Sequence, residues 1–194
     1  MITHLKAQAP FNAKLRIVDP FAGSGTLLFE GLSQTLPNLT RAYSWLHFKS
    51  APKLFKSESW RKNYRWFATQ NSIEAIGFDI DEKSVQNAQH NQIDFQKIFS
   101  LEQLNLNFKV QNSAELKLDN PDNKNTWIIT NPPYGIRMAD DQAKNTLEKL
   151  ENGVNGIIVI HPEKWKFNFK KLKMAHQQEF SNQGLNLKLS IFTV

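Results

Sequence analysis

Leu15-Arg16-Ile17-Val18-Asp19-Pro20-Phe21-Ala22-Gly23-Ser24-Gly25-Thr26 is the stretch whose reading decides the fold. Its first four residues make a short apolar strand, the glycines after Asp19 make a turn, and Leu27-Leu28-Phe29 continues as the start of an apolar helix. Strand, glycine turn and helix N-terminus in this order belong to an α/β fold whose ligand site lies at the strand ends. Gly23 and Gly25 let the backbone come close to a ligand, and the free N–H groups and dipole at the helix start favour a carboxylate. The third glycine of a dinucleotide fingerprint is absent, and no lysine follows as in a phosphate-binding loop. The turn therefore suits a small carboxylate ligand such as the methionine end of S-adenosyl-L-methionine. A glycine turn that merely joins strand to helix is the plainer alternative.

Working outward, Glu74-Ala75-Ile76-Gly77-Phe78 is a second apolar strand, ending in Asp79-Ile80-Asp81 ahead of a helical stretch from Glu82 to Gln92. A carboxylate at a strand tip beside the glycine turn can accept from both hydroxyls of a ribose, each charge-assisted bond contributing about 1.5–3 kcal/mol before desolvation. Asp79 suits that role, whereas Asp81 stands where a helix N-cap belongs. Asp79 follows Gly25 by 54 residues, where a dinucleotide fold has its acid about 20 on. An insertion fills the gap, at about 33–70, and mixes Trp45, Trp60, Tyr64 and Trp66 with Arg41, Lys49, Arg61 and Arg65. Such a mixture either grips single-stranded nucleic acid or buries its aromatics as a satellite core with the cations solvated.

Trp127-Ile128-Ile129-Thr130 is a further apolar strand that runs into Asn131-Pro132-Pro133-Tyr134. This tetrapeptide at a strand end points to methylation of a nucleobase amine. Such an amine is a poor nucleophile because its lone pair is delocalised into the ring. Acceptors for both its hydrogens return the lone pair to nitrogen. The Asn131 carboxamide oxygen and the Pro132 carbonyl are candidate acceptors, and Pro132 and Pro133 fix φ and remove competing donors. Tyr134 offers a ring on which an extruded base stacks, worth about 1–3 kcal/mol. An Asn-Pro turn that simply closes a strand is the competing reading.

The remaining pattern completes a sheet. Phe108-Lys109-Val110-Gln111 is a third strand ending at Asn112, helical pattern returns from Asp140 to Leu150, and Gly156 to His161 is a buried β-branched strand suited to a covered parallel sheet. His161 reads as a strand-end residue rather than a base. Glu163 to Lys173 is basic and aromatic together, either a substrate contact or a solvated amphipathic helix. Gln177 to Phe180, the turn 181–184 and Leu185 to Val194 read as a hairpin closing the sheet edge.

Composition bounds the partners. The 194 residues suffice for one domain, and 24 basic against 18 acidic residues, with a pI near 9.5, favour an anionic partner such as nucleic acid. The absence of cysteine excludes disulfides and thiolate metal sites, and the five histidines show no ligand spacing, so no metal is expected. No cleavable signal or long apolar run is visible, which predicts a cytoplasmic protein with no membrane partner.

Asp19 to Glu30, the Trp45…Trp60 insertion, Gly77 to Asp81 and Asn131 to Arg137, in this order, resemble the catalytic domain of the bacterial ribosomal-RNA guanine-N2 methyltransferases that carry a THUMP module, and of related tRNA enzymes. The likeness covers roughly residues 15–138. It implies a class I methyltransferase fold: a seven-stranded, mostly parallel sheet with helices on both faces and a C-terminal antiparallel hairpin, forming one domain over residues 1–194. It also implies S-adenosyl-L-methionine as cofactor and rRNA or tRNA as partner. By the resemblance, Asp19, Pro20, Ala22 and the Gly23, Ser24, Gly25, Thr26 turn hold the methionine end of the cofactor, Asp79 its ribose and Asn112 its adenine. Asn131, Pro132, Pro133 and Tyr134 would hold the target base. Asn112 stands where the family has Asp, so its bond to the adenine amine lacks charge and is about half as strong. The family's upstream helix and THUMP module are expected to be missing from these residues, leaving RNA capture to a separate domain or subunit. Adenine-N6 methylation of RNA or DNA, or a catalytically weak cofactor- and RNA-binding domain, remain open as alternatives.

Overall fold

Among the described residues, seven strands form one sheet, and Leu15–Asp19, Thr126–Thr130 and Gly156–Pro162 are short runs rich in β-branched residues. The computed structural model describes residues 15–33, 73–98, 104–118, 126–134, 140–182 and 184–194. Its elements are β1 (Leu15–Asp19), α1 (Thr26–Ser33), β2 (Ile73–Asp79), α2 (Glu82–Ile98), β3 (Leu104–Val110), β4 (Thr126–Thr130), α3 (Asp140–Leu150), β5 (Gly156–Pro162), β6 (Lys173–Asn182) and β7 (Leu185–Thr193). The aromatic and basic insertion expected at about 33–70 lies outside the described residues, apart from Ser33 at the end of α1.

The strands lie in the order β3-β2-β1-β4-β5-β7-β6. The first five are parallel, and β7 and β6 close the edge antiparallel. This is the α/β class I methyltransferase fold with a C-terminal antiparallel hairpin. Alternate residues of each strand serve opposite faces. On one face Ile17, Ala75, Leu106, Phe108 and Ile129 pack under Leu28 and Leu32 of α1 and Val85, Ala88 and Phe95 of α2. On the other, Val18, Ile76, Ile128, Ile157 and Val159 pack with Leu147 and Leu150 of α3. Covering on both sides explains why β4 is buried along its whole length.

Four elements differ from the sequence reading. β3 begins at Leu104 rather than Phe108, and β6 begins at Lys173 rather than Gln177. The helix after Asp81 runs to Ile98 rather than Gln92, because buried Phe95 continues the apolar face begun by Val85 and Ala88. The segment after Pro162 is no helix: up to β6 it is an extended strap. Trp165 is buried and Phe167 and Phe169 are half-buried, while Lys164, Lys166, Asn168 and Lys170 between them are exposed, the period-two alternation of extended chain. The Phe167 and Phe169 rings lie against Phe192 of β7. Carboxylates around α3 hold the strap's backbone. Glu148 accepts from the Asn168 N–H at 2.7 Å, and buried Glu151 accepts from those of Lys170 and Lys171 at 2.8 and 3.0 Å.

Candidate active site

The chain lays β2 and β3 on one side of β1, then crosses to lay β4 and β5 on the other. Between β1 and β4 the order reverses. An open α/β sheet leaves a crevice at such a point, outside the carboxyl ends of its strands. The β1–β4 pairing ends at Val18↔Ile128, one residue short of Asp19 and two short of Thr130. The sequence-predicted residues follow directly: Asp19 and the glycine turn after β1, Asp79 at the end of β2, Asn112 past β3 and Asn131 to Tyr134 after β4.

The glycine turn is tied down from below. The Ala22 N–H donates to the Phe78 carbonyl at 2.8 Å, the Gly25 N–H to the Ala22 carbonyl at 2.8 Å, and the Phe29 N–H to the Gly25 carbonyl at 3.0 Å. Asn91 of α2 donates its side-chain amide to the Ser24 carbonyl at 3.2 Å, and the Ser24 and Thr26 hydroxyls lie 3.2 Å apart. Gly23 and Gly25 have φ of 53° and 83°, the left-handed region that favours glycine. Their surroundings differ. A Cβ on Gly25 would lie 2.6 Å from Phe29 Cε2 and 2.7 Å from Phe108 Cζ, whereas one on Gly23 would meet nothing within 4 Å. Gly25 thus sits on an aromatic floor, and Gly23 presents its backbone to open space. Pro20 and Ala22 are buried beneath the turn.

Asp79 is half-buried, and its carboxylate binds the turn itself. One oxygen accepts from the Gly23 N–H at 2.8 Å, the other from the Asp81 N–H at 2.9 Å. Each carboxylate oxygen has a second lone pair, so acceptor capacity for a diol remains. Asp81 caps α2, accepting from the Ser84 N–H at 3.0 Å and the Ser84 hydroxyl at 2.7 Å, and these bonds hold its carboxyl below the usual range. Asn112 is itself a cap. Its Oδ1 accepts from the Ala114 N–H at 3.0 Å and its amide donates to Glu115 at 3.3 Å, so only one lone pair of that oxygen is left for an adenine amine.

Asp19 is 1% exposed. Its Oδ1 accepts from the Phe21 N–H at 3.0 Å and from the Thr130 hydroxyl at 2.7 Å. Burial pushes its carboxyl up to about 7, the two hydrogen bonds oppose that rise, and the charge of Asp79 adds to it. On the other bank, Asn131 is exposed, Pro132 buried, and Pro133 and Tyr134 half-buried. Arg137, the last residue of the motif, lies outside the described residues. His161 is committed elsewhere. Its Nδ1 faces the Pro162 carbonyl at 2.9 Å and so carries the proton, and its Nε2 accepts from Ser190 Oγ at 2.8 Å. Burial lowers its pKa, and it is a neutral structural residue, in keeping with its place at a strand end.

Sequence reasoning missed Thr130, Phe108 and Asn91. Thr130 and Phe108 looked like ordinary strand residues, and their side chains meet the site only through the sheet. Among the described residues, no group of three or more His, Cys, Asp or Glu could hold a metal ion, and no helix is long and apolar enough to cross a membrane.

Residues 5–154 match the family described as the RMKL-like methyltransferase domain. The chain is 28% identical over 190 residues to the ribosomal RNA large subunit methyltransferase K/L of Colwellia psychrerythraea, covering 91% of this chain and 23% of that protein. It is 33% identical over 152 residues to an uncharacterized protein of Dictyostelium discoideum, covering 66% and 26%. The chain thus spans about a quarter of the length of these relatives. Among solved structures it resembles a Haemophilus influenzae protein described as a methylase, with a TM-score of 0.55 and 18% identity over 100% of this chain and 96% of that one, a likeness of fold.

Proposed function

Because the chain belongs to the RMKL-like methyltransferase-domain family, we propose that it transfers a methyl group from S-adenosyl-L-methionine to the exocyclic amine of a base in RNA, with guanine-N2 of ribosomal RNA as the first candidate. One observation carries the reading: across the β1/β4 reversal, an open glycine backbone and a strand-end carboxylate stand on one bank and Asn131 to Tyr134 on the other. The name of the Colwellia relative supports RNA as the substrate class.

The residues fit the cofactor. A Cβ on Gly23 would meet nothing within 4 Å, which leaves room for a ligand against the turn, and Asp79 retains lone pairs for the ribose hydroxyls. Ser24 and Thr26 are exposed in the turn that would hold the methionine end, and Asn112 has one lone pair for the adenine amine. When bound, the cofactor supplies an electrophilic methyl group on a sulfonium. The protein's contribution is positioning, which brings reacting atoms to about 3 Å in line. The Asn131 carboxamide oxygen and the Pro132 carbonyl accept the two amine hydrogens and so hold the nitrogen lone pair toward the donor. Pro133 stiffens the loop, and Tyr134 stacks on the extruded base. No strong base is needed, since the nitrogen sheds a proton readily once it is cationic. Residues 1–194 act in this scheme as one catalytic domain, with RNA capture supplied by a separate domain or subunit.

The test is methylation of in vitro transcribed rRNA and tRNA with labelled S-adenosyl-L-methionine, followed by mass spectrometry of nucleosides. N2-methylguanosine from rRNA supports the reading, and N6-methyladenosine would move it to the adenine alternative. Asn131→Ala is expected to slow transfer on the order of a hundredfold while leaving cofactor affinity nearly unchanged. Equal rates for Asn131→Ala, Tyr134→Ala and the parent would reduce the tetrapeptide to a turn.

A further inference from the structure

The link across the crevice is a side-chain bond. Where the β1–β4 pairing stops at Val18↔Ile128, the connection passes to Thr130 Oγ1, which donates to Asp19 Oδ1 at 2.7 Å between residues 111 apart in sequence. Asp19 and Thr130 are each 1% exposed, so water does not compete for the bond. The same Asp19 oxygen holds the Phe21 N–H at the start of the glycine turn, and Thr130 is bonded through its carbonyl carbon to Asn131. One oxygen atom therefore joins the turn on one bank to the loop on the other.

We infer that the Thr130–Asp19 bond is a positioning link that sets the distance between the cofactor turn and the Asn131 loop, with Thr130 a positioning residue for methyl transfer. The inference rests on the methyltransferase reading above. Asp19 is buried, and its Oδ1 alone holds both the Phe21 N–H and the Thr130 hydroxyl, so it acts on the cofactor at least through the shape of the turn. A transfer that needs the donor carbon and the acceptor nitrogen in line tolerates little drift between its two banks. A misplacement of about 1 Å from a change away from the chemistry costs up to about a hundredfold in rate.

Thr130→Val keeps the branched shape and removes only the hydroxyl, and Thr130→Ser restores it. Both are to be assayed with in vitro transcribed rRNA at saturating S-adenosyl-L-methionine, with the folded fraction fixed by urea titration and cofactor affinity measured by calorimetry. The expected result for Thr130→Val is a rate constant about ten- to a hundredfold lower, cofactor affinity within about twofold of the parent, and recovery of most of the rate in Thr130→Ser. A purely structural role would move the urea midpoint and leave the rate per folded molecule unchanged, and that outcome overturns the inference while the proposed function stands. An equal loss in Thr130→Ser and Thr130→Val overturns it as well, since the hydroxyl would then be irrelevant. If the parent methylates no RNA and binds no S-adenosyl-L-methionine, the proposed function falls and takes the inference with it.

Discussion

Asp79→Ala separates two roles that one carboxylate holds at once. The side chain receives the Gly23 N–H, part-buried, at 2.8 Å and the Asp81 N–H, exposed, at 2.9 Å. A hydrogen bond to a charged group contributes about 1.5–3 kcal/mol when sheltered and less in water. Taking the low end for the first bond and a fraction of it for the second gives a loss of about 2 kcal/mol. At a urea dependence of about 2 kcal/mol per molar, that is a midpoint about 1 M lower. In the complex the variant also lacks the ribose acceptor, which adds about ten- to a hundredfold weaker binding of S-adenosyl-L-methionine or S-adenosylhomocysteine. Asp79→Asn keeps one acceptor and should fall between. Urea denaturation monitored by tryptophan fluorescence gives the first quantity and calorimetry the second. An unchanged urea midpoint would refute the bolt between β2 and the glycine turn, and unchanged affinity would refute the ribose assignment. A parent that takes NADH or a nucleoside triphosphate and ignores S-adenosyl-L-methionine would refute the site as a whole.

Three further outcomes are expected. Gly25→Ala combines a positive φ with close approach to Phe29 and Phe108 and should cost about 2–5 kcal/mol, against about 1–2 for Gly23→Ala, where only φ is adverse, both read by urea unfolding. The folded state holds the Asp19 proton up to about pH 7, whereas the unfolded chain releases it near 3.8. Stability therefore declines as pH rises through that window, by at most about 4 kcal/mol, and Asp19→Asn should flatten this part of the profile in denaturation series from pH 4 to 8. Replacing exposed Lys164, Lys166, Lys170 and Lys171 with glutamine should weaken RNA in filter binding and lower the slope of log affinity against log salt, by about 0.7 for each single-strand phosphate that is no longer neutralised.

Local chemistry made much of the site legible. The glycine turn, Asp79, Asp81 and the Asn131 loop all follow short apolar runs whose type and end are written in consecutive residues, and the strands stand where those runs are. What distant residues decide was not legible. Thr130 reads as one more β-branched strand residue until β1 is laid beside β4, and Phe108 gains meaning only because Gly25 and Gly77 leave room for its ring. Asn112 is a site residue by family resemblance, and its second engagement, as the acceptor for the Ala114 N–H, depends on the backbone turn that follows β3. The strap misled for another reason. Its lysine content suggested a solvated helix, whereas the signal in Trp165-Lys166-Phe167-Asn168-Phe169-Lys170 is alternation, and alternation describes extended chain.

A central β1 flanked by β2 and β4 also sets when the site can exist during synthesis. Gly23 waits for a partner 56 residues downstream, and Asp19 for one 111 downstream. The longer closure is entropically only about 0.6 kcal/mol dearer than the shorter one, so the delay is one of translation rather than of search. At about 5–20 residues per second, a ribosome needs on the order of ten seconds to make the stretch between Asp19 and Thr130. During that interval the two halves of the sheet have no common edge, and β1 shows an unpaired side to other chains. That open side of β1 closes only when β4 has been made, well after β2 has covered the other.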